Sequence, residues 1–151
     1  MEIRIYYEDT DAGGVVYYAN YFKYFERART HYLEERGLSV VRLLKEGTQF
    51  LVVHAEADYR SPARLGDTLT VETTLPQCGR ASVTFAHVIR DRANARVVME
   101  GHATLVAVDL HGRVKRLTMP MIQALRCQPR SSTDGNTRPR RGSSRSRREV
   151  P

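Results

Sequence analysis

The chain contains no tryptophan and only two cysteines, Cys78 and Cys127, in no C-x-x-C or metal-ligand pattern. Two lone thiols suit a reducing compartment better than a disulfide scaffold. No apolar run approaches the roughly 20 residues that cross a bilayer. The opening MEIRIYYEDTD has no signal-peptide core, so the expected location is cytoplasmic. The five histidines, at 31, 54, 87, 102 and 111, show no paired spacing, and neither a metal nor a cofactor is expected. Charge of one sign is also scarce over most of the chain. From Pro129 to Pro151 seven arginines face two acids, a net +5, which leaves only +2 of the formal +7 for everything before.

What is present suits one domain of 1–127, long enough to bury a core unaided. From Gln128 the residues are mostly Ser, Arg, Pro and Gly and cannot bury enough surface to fold, so 128–151 reads as a disordered tail. Its charge could meet nucleic acid or membrane. Without interleaved aromatics, an uncommitted extension is the stronger reading.

Residues 2–8 have the content of a strand. Over 18–36, Tyr18, Tyr21 or Phe22, Phe25, Ala28, Tyr32 and Leu33 recur at helical spacing, and Gly37 is a natural stop. A short helical piece follows at 38–47. The period then becomes two. In 49–60 Leu51, Val53, Ala55, Ala57 and Tyr59 share one face, while His54, Glu56, Asp58 and Arg60 share the other. Strands are expected again around Leu69–Leu75, Val83–Ile89 and 97–109, with Gly101 marking a bulge. RVKRLTMP suggests a last short strand and MIQALRC a closing helical turn. One long helix against an antiparallel sheet is an α+β architecture.

Seven of the eight tyrosines fall between Tyr6 and Tyr32, around the segment DTDAGGVVYYANYF. A strand, a glycine loop and a helix start in succession present free N–H groups and partial positive charge. Such a terminus can bind a carbonyl oxygen that becomes negative, and a nearby carboxylate can activate water or attack directly. These are the parts of acyl transfer, although an Asp before a helix is more often a cap.

YYEDTDAGGVVYYANYFKYFERART resembles the signature of the 4-hydroxybenzoyl-CoA thioesterase-like hotdog family, in its Tol–Pal system-associated acyl-CoA thioesterase branch. GTQFLVVHAEADYRSPARLGDTLTVET and GRASVTFAHVIR continue the resemblance. It implies a hotdog fold, a long central helix wrapped by an antiparallel sheet, assembled as a homodimer or homotetramer. It also implies hydrolysis of acyl-CoA or acyl-carrier-protein thioesters to acid and thiol. By the same resemblance the catalytic acid is Asp11, as nucleophile or general base, and Asp9 is scaffolding. The carbonyl-polarising N–H falls at Tyr18. Tyr7, Gly14 and Val15 are substrate-binding: Tyr7 matches an aromatic near the catalytic loop, where plain packing fits it equally well, and Gly13 and Gly14 let backbone and thioester approach closely. Arg80 and Ser82 match the phosphate-holding region, with Arg60 and Arg64 as looser candidates. The branch commonly reads VVYH where this chain reads VVYY. A backbone donor tolerates that change, but any help from a histidine is gone. Glu26, a rival acid, reads as an ion pair with Arg29 or Arg27. Two other functions fit less well: a hotdog hydratase or dehydratase, which wants a histidine the loop lacks, and a non-enzymatic acyl-CoA-binding or scaffold protein.

Overall fold

A computed structural model describes residues 1–126; Cys127 and the expected tail from 128 lie outside the described residues. Five strands, β1 (Glu2–Arg4), β2 (Gln49–Tyr59), β3 (Thr68–Cys78), β4 (Ser82–Asp91) and β5 (Val97–Val108), form one antiparallel sheet in the order β1-β3-β4-β5-β2. Helix α1 (Asn20–Glu34) lies on one face, with α2 (Val40–Lys45) and α3 (Met119–Arg126) beside it. This is the expected α+β arrangement.

Helix α1 buries Tyr21, Tyr24, Phe25, Ala28, Arg29, Tyr32 and Leu33, the three- and four-residue recurrence of one helix face. Alternation does the same for β4, where Val83, Phe85, His87 and Ile89 are buried. The first half of α1 packs with Ile5, Leu69, Ile89 and Met99, the second with Leu43, Phe85, Leu105 and Leu125. Burying each large side chain contributes about 1.5–3 kcal/mol. Gly37, at φ +76°, ends α1: its N–H donates to the Glu34 carbonyl while the Leu38 N–H reaches back to Leu33. That paired return is a Schellman stop, which needs the left-handed conformation glycine accepts.

The structure corrects four expectations. The first strand stops at Arg4, because Asp9 accepts the Tyr6 N–H and folds residues 7–9 into a tight turn. Helix α1 starts at Asn20, so Tyr18 precedes it. RVKRLTMP reduces to a single Val108–Val114 bridge. The bulge lies in β2, at Val53, which is skipped between the pairs Val52–Leu105 and His54–Thr104. An inserted residue reverses the facing of everything before it. Val52 therefore shares the helix-side face with Ala55 and Ala57, and Leu51 turns to the other. Gly101 instead pairs regularly with Ala57 and His87. A methyl there would sit 2.5 Å from the Glu56 carbonyl oxygen and 2.7 Å from the Phe25 ring. Its role is close approach: Phe25 presses into this notch and stacks on His87 at 4.4 Å.

Candidate active site

The two acids of DTDAGG have different surroundings. Both Asp9 carboxylate oxygens are engaged, one by the Tyr24 hydroxyl at 2.9 Å and the other by the Tyr6 N–H at 2.8 Å. Its carbonyl also accepts the Asn20 amide and the Tyr17 N–H, both at 2.9 Å. Asp9 thus ties the turn after β1, the loop and the start of α1 together. Burial, then Asp9, pushes the Tyr24 phenol up, keeping it a neutral donor.

Asp11 is exposed at the tip of a small hairpin. Its N–H donates to the Val15 carbonyl and its carbonyl accepts the Gly14 N–H at 3.0 Å. Gly14, at φ +74°, closes this turn in a conformation that favours glycine. One carboxylate oxygen accepts the Gly13 N–H at 2.8 Å; the other has no partner among the described residues. A side chain at Gly13 would begin 3.1 Å from that carboxylate. The hairpin is anchored from a distance: Val15 bridges Arg64, and the buried Val16 donates to the Ala63 carbonyl at 2.9 Å. Asp11 is therefore held in orientation with one oxygen facing solvent.

Tyr18 lies just before α1, its side chain 61% exposed. Its N–H donates to no group among the described residues, and the positive end of the helix dipole begins there. Its carbonyl accepts the Tyr59 hydroxyl at 2.9 Å, which fixes this peptide against the last residue of β2. The Tyr18 and Tyr59 rings meet edge to face at 6.5 Å, and Tyr21 meets Tyr59 at 5.8 Å. Tyr7 is 82% exposed on the turn before Asp11.

The expected site residues do not all meet within one chain. Tyr7, Asp11, Gly14, Val15 and Tyr18 share the loop. Arg64 is joined to it through Val15, whereas Arg60 is already paired with Glu100 at 3.2 Å and Asp58 at 3.7 Å. Arg80 and Ser82 sit at the β3–β4 turn, where the Gly79 N–H donates to the Ser82 carbonyl and the Leu117 N–H to the Arg80 carbonyl. The loop is anchored instead at Ala63, Arg64 and Tyr59; Tyr59 pairs with Met99 and Met99 with Ile89, which lies seven residues, roughly 23 Å, along β4 from Ser82. Glu26 pairs with neither arginine; it accepts the Thr30 hydroxyl at 2.9 Å, and Arg27 lies over the Tyr24 ring. Sequence reasoning missed Tyr24, Asn20 and Tyr59. Tyr59 touches Tyr18 across 41 residues, and no local spacing announces that contact.

Residues 6–129 match the model of the thioesterase-like superfamily. The acyl-CoA thioesterase YbgC of Haemophilus influenzae is 40% identical over 119 residues, covering 78% of this chain and 85% of that protein. The acyl-CoA thioester hydrolase YbgC of Escherichia coli O157:H7 is 39% identical over 107 residues, 71% of this chain and 79% of its own. Among solved structures, the 1,4-dihydroxy-2-naphthoyl-CoA thioesterase Slr0204 of Synechocystis superposes with a TM-score of 0.77 at 25% identity, covering 83% of this chain and 93% of that one. The chain belongs to the thioesterase-like superfamily and has its hotdog fold.

Proposed function

We propose that the protein is an acyl-CoA thioesterase in which Asp11 and the Tyr18 N–H act on the thioester. The observation that carries this is their shared availability: a carboxylate oxygen and a backbone donor, both without partners among the described residues, on one loop at the start of α1. The Tyr18 N–H holds the carbonyl oxygen as it gains charge. Asp11 then takes a proton from attacking water, or attacks the carbonyl carbon itself to give a mixed anhydride that water hydrolyses once the thiolate has left. The C–S bond breaks, the sulfur leaves as thiolate and is protonated, and the acid is released. The absence of a loop histidine argues against the hydratase reading. Acyl-carrier-protein esters remain alternative substrates.

Assembly belongs to the same proposal. The outer strand β2 exposes Leu51, Val52 and Val53 on a sheet edge that is unpaired among the described residues, which invites a second strand. The Asp11 loop lies by the Tyr59 end of β2, and the Arg80–Ser82 turn by the Gln49 end. Antiparallel pairing of two β2 strands about a two-fold axis brings opposite ends together. The Arg80–Ser82 turn of one copy then approaches the Asp11 loop of the other, where Arg80 would hold CoA phosphate. We place this unit at residues 1–127, without a role for the tail, in the cytoplasm. Likeness to YbgC supports the Tol–Pal-associated branch.

The test is thiol release from short aliphatic, long aliphatic and aromatic CoA esters by the parent and by Asp11→Asn. Turnover is expected to fall at least about a hundredfold, the usual scale for a general base, with CoA-ester binding retained. Parent-like hydrolysis by the folded variant sinks the assignment. A single turnover in ¹⁸O-water tests the nucleophilic role: label in the Asp11 carboxylate marks a mixed anhydride that water opens at the aspartyl carbon.

A further inference from the structure

A second feature of α1 is not used by this chemistry. Arg29 occupies the buried stripe of the helix, four residues after Phe25 and four before Leu33, and is only 9% exposed. Its guanidinium has no hydrogen bond or ion pair among the described residues. Glu26 acts on it through charge at a distance, one of its carboxylate oxygens being engaged by Thr30. His87 also lies close enough for Arg29 to depress its basicity, and brings no negative charge. A cation in this position is costly unless an anion meets it.

Arg29 lines a groove of about 310 Å³ between α1, α2 and the β2–β5 edge. Leu33, Leu43, Leu44, Phe50, Val52 and Leu105 supply most of its wall. Glu26 and Thr30 also line it; one Glu26 carboxylate oxygen accepts the Thr30 hydroxyl, and neither side chain is bonded to Arg29. An apolar trough with one unpaired guanidinium has two demands, apolar bulk and an anionic oxygen. A carboxylate meets the second through the planar donor fork.

Resting on the thioesterase reading, we infer that this groove receives the acyl group and that Arg29 selects acyl groups carrying a carboxylate at their far end. The preferred substrates are then monothioesters of dicarboxylic acids rather than methyl-terminated acyl-CoAs. The groove begins along the same helix that starts at the Tyr18 donor; nine residues of α1 separate Asn20 from Arg29, about 14 Å.

The experiment compares kcat/KM for adipoyl- against hexanoyl-CoA, and for dodecanedioyl- against dodecanoyl-CoA, in the parent, Arg29→Met and Arg29→Lys. The parent is expected to favour the diacid ester at one length at least. Arg29→Met should lower that ratio about ten- to hundredfold, the worth of a charge-assisted hydrogen bond, chiefly through the KM of the diacid ester. Arg29→Lys should keep part of the preference. A parent that disfavours the diacid at both lengths overturns the inference. So does a ratio unmoved by Arg29→Met, including the case where that variant only dissociates the assembly because Arg29 meets a partner's acid. Should Arg29→Met fail to fold, the parent ratio and Arg29→Lys still decide. Failure to hydrolyse any thioester counts against the thioesterase reading alone. In that case calorimetry with dodecanedioate against dodecanoate on the parent and Arg29→Lys tests Arg29: tighter dodecanedioate binding, weakened by Arg29→Lys, supports it, and equal binding overturns it.

Discussion

Two acids, two residues apart, show how much of a residue's role lies in its partners. Asp9 holds two donors on its carboxylate and two on its carbonyl, while Asp11 keeps one oxygen free. Replacing Asp9 with Ala strands the buried Tyr24 hydroxyl and frees the Tyr6 N–H. The expected cost is about 1–3 kcal/mol of stability for each donor left buried without a partner. Urea unfolding checks this, with Asp11→Asn as the contrast that should leave the midpoint nearly unmoved. The resemblance gives these acids different roles and the structure gives them different partners, but no property of the string D-T-D explains the difference in partners. Tyr24 and Asn20, which make the difference, arrive from the next helix. The expected Glu26–Arg29 pair failed for a related reason: a three-residue spacing permits a contact, and Thr30, one turn from Glu26, took the carboxylate instead.

At the scale of elements, the amphipathic stripe of α1 and its glycine stop were legible, because both are local: helical period and left-handed backbone are properties of neighbouring residues. The bulge in β2 was not. Alternation from Leu51 to Tyr59 is unbroken in the sequence, yet Val53 drops out of the ladder. Register belongs to the pair of strands, and β5 lies some 50 residues away. Gly101 was misread for the same reason, since the aromatic ring that fills its notch comes from α1. The bulge also places an exposed valine on the outermost strand, 61% accessible. A lysine at Val53 should make this edge repel a second copy. Sedimentation of Val53→Lys is expected to show smaller particles than the parent, with the same circular dichroism.

For the whole molecule, the buried imidazole of His87 sets the response to acid. Burial, then the nearby Arg29 and His102, hold its pKa down to about 3, against about 6.5 when unfolded. The folded state therefore keeps His87 neutral while the unfolded chain takes up a proton. Its contribution to stability is complete above about pH 6.5 and is lost as pH falls toward 3, at up to about 1.4 kcal/mol per unit. Between pH 7 and 5 the parent should lose about 2 kcal/mol more than His87→Gln, read from urea midpoints at the two pH values. Asp91 and Asp109, held below the usual carboxylate range chiefly by backbone N–H donors, add their share only in stronger acid.

The hydrogen bond from Tyr59 to the Tyr18 carbonyl has a consequence in mass action. Tyr59 ends the outer strand along which a second copy is proposed to pair, and the same residue holds the carbonyl of Tyr18, whose N–H is the proposed donor to the thioester. Association and catalytic competence are then linked equilibria, and dilution opposes both together. Specific activity should not be constant: it is expected to fall as enzyme concentration drops below the dissociation constant of the assembly. The midpoint of that fall should coincide with the one obtained by sedimentation, and in Val53→Lys it should shift to higher concentration.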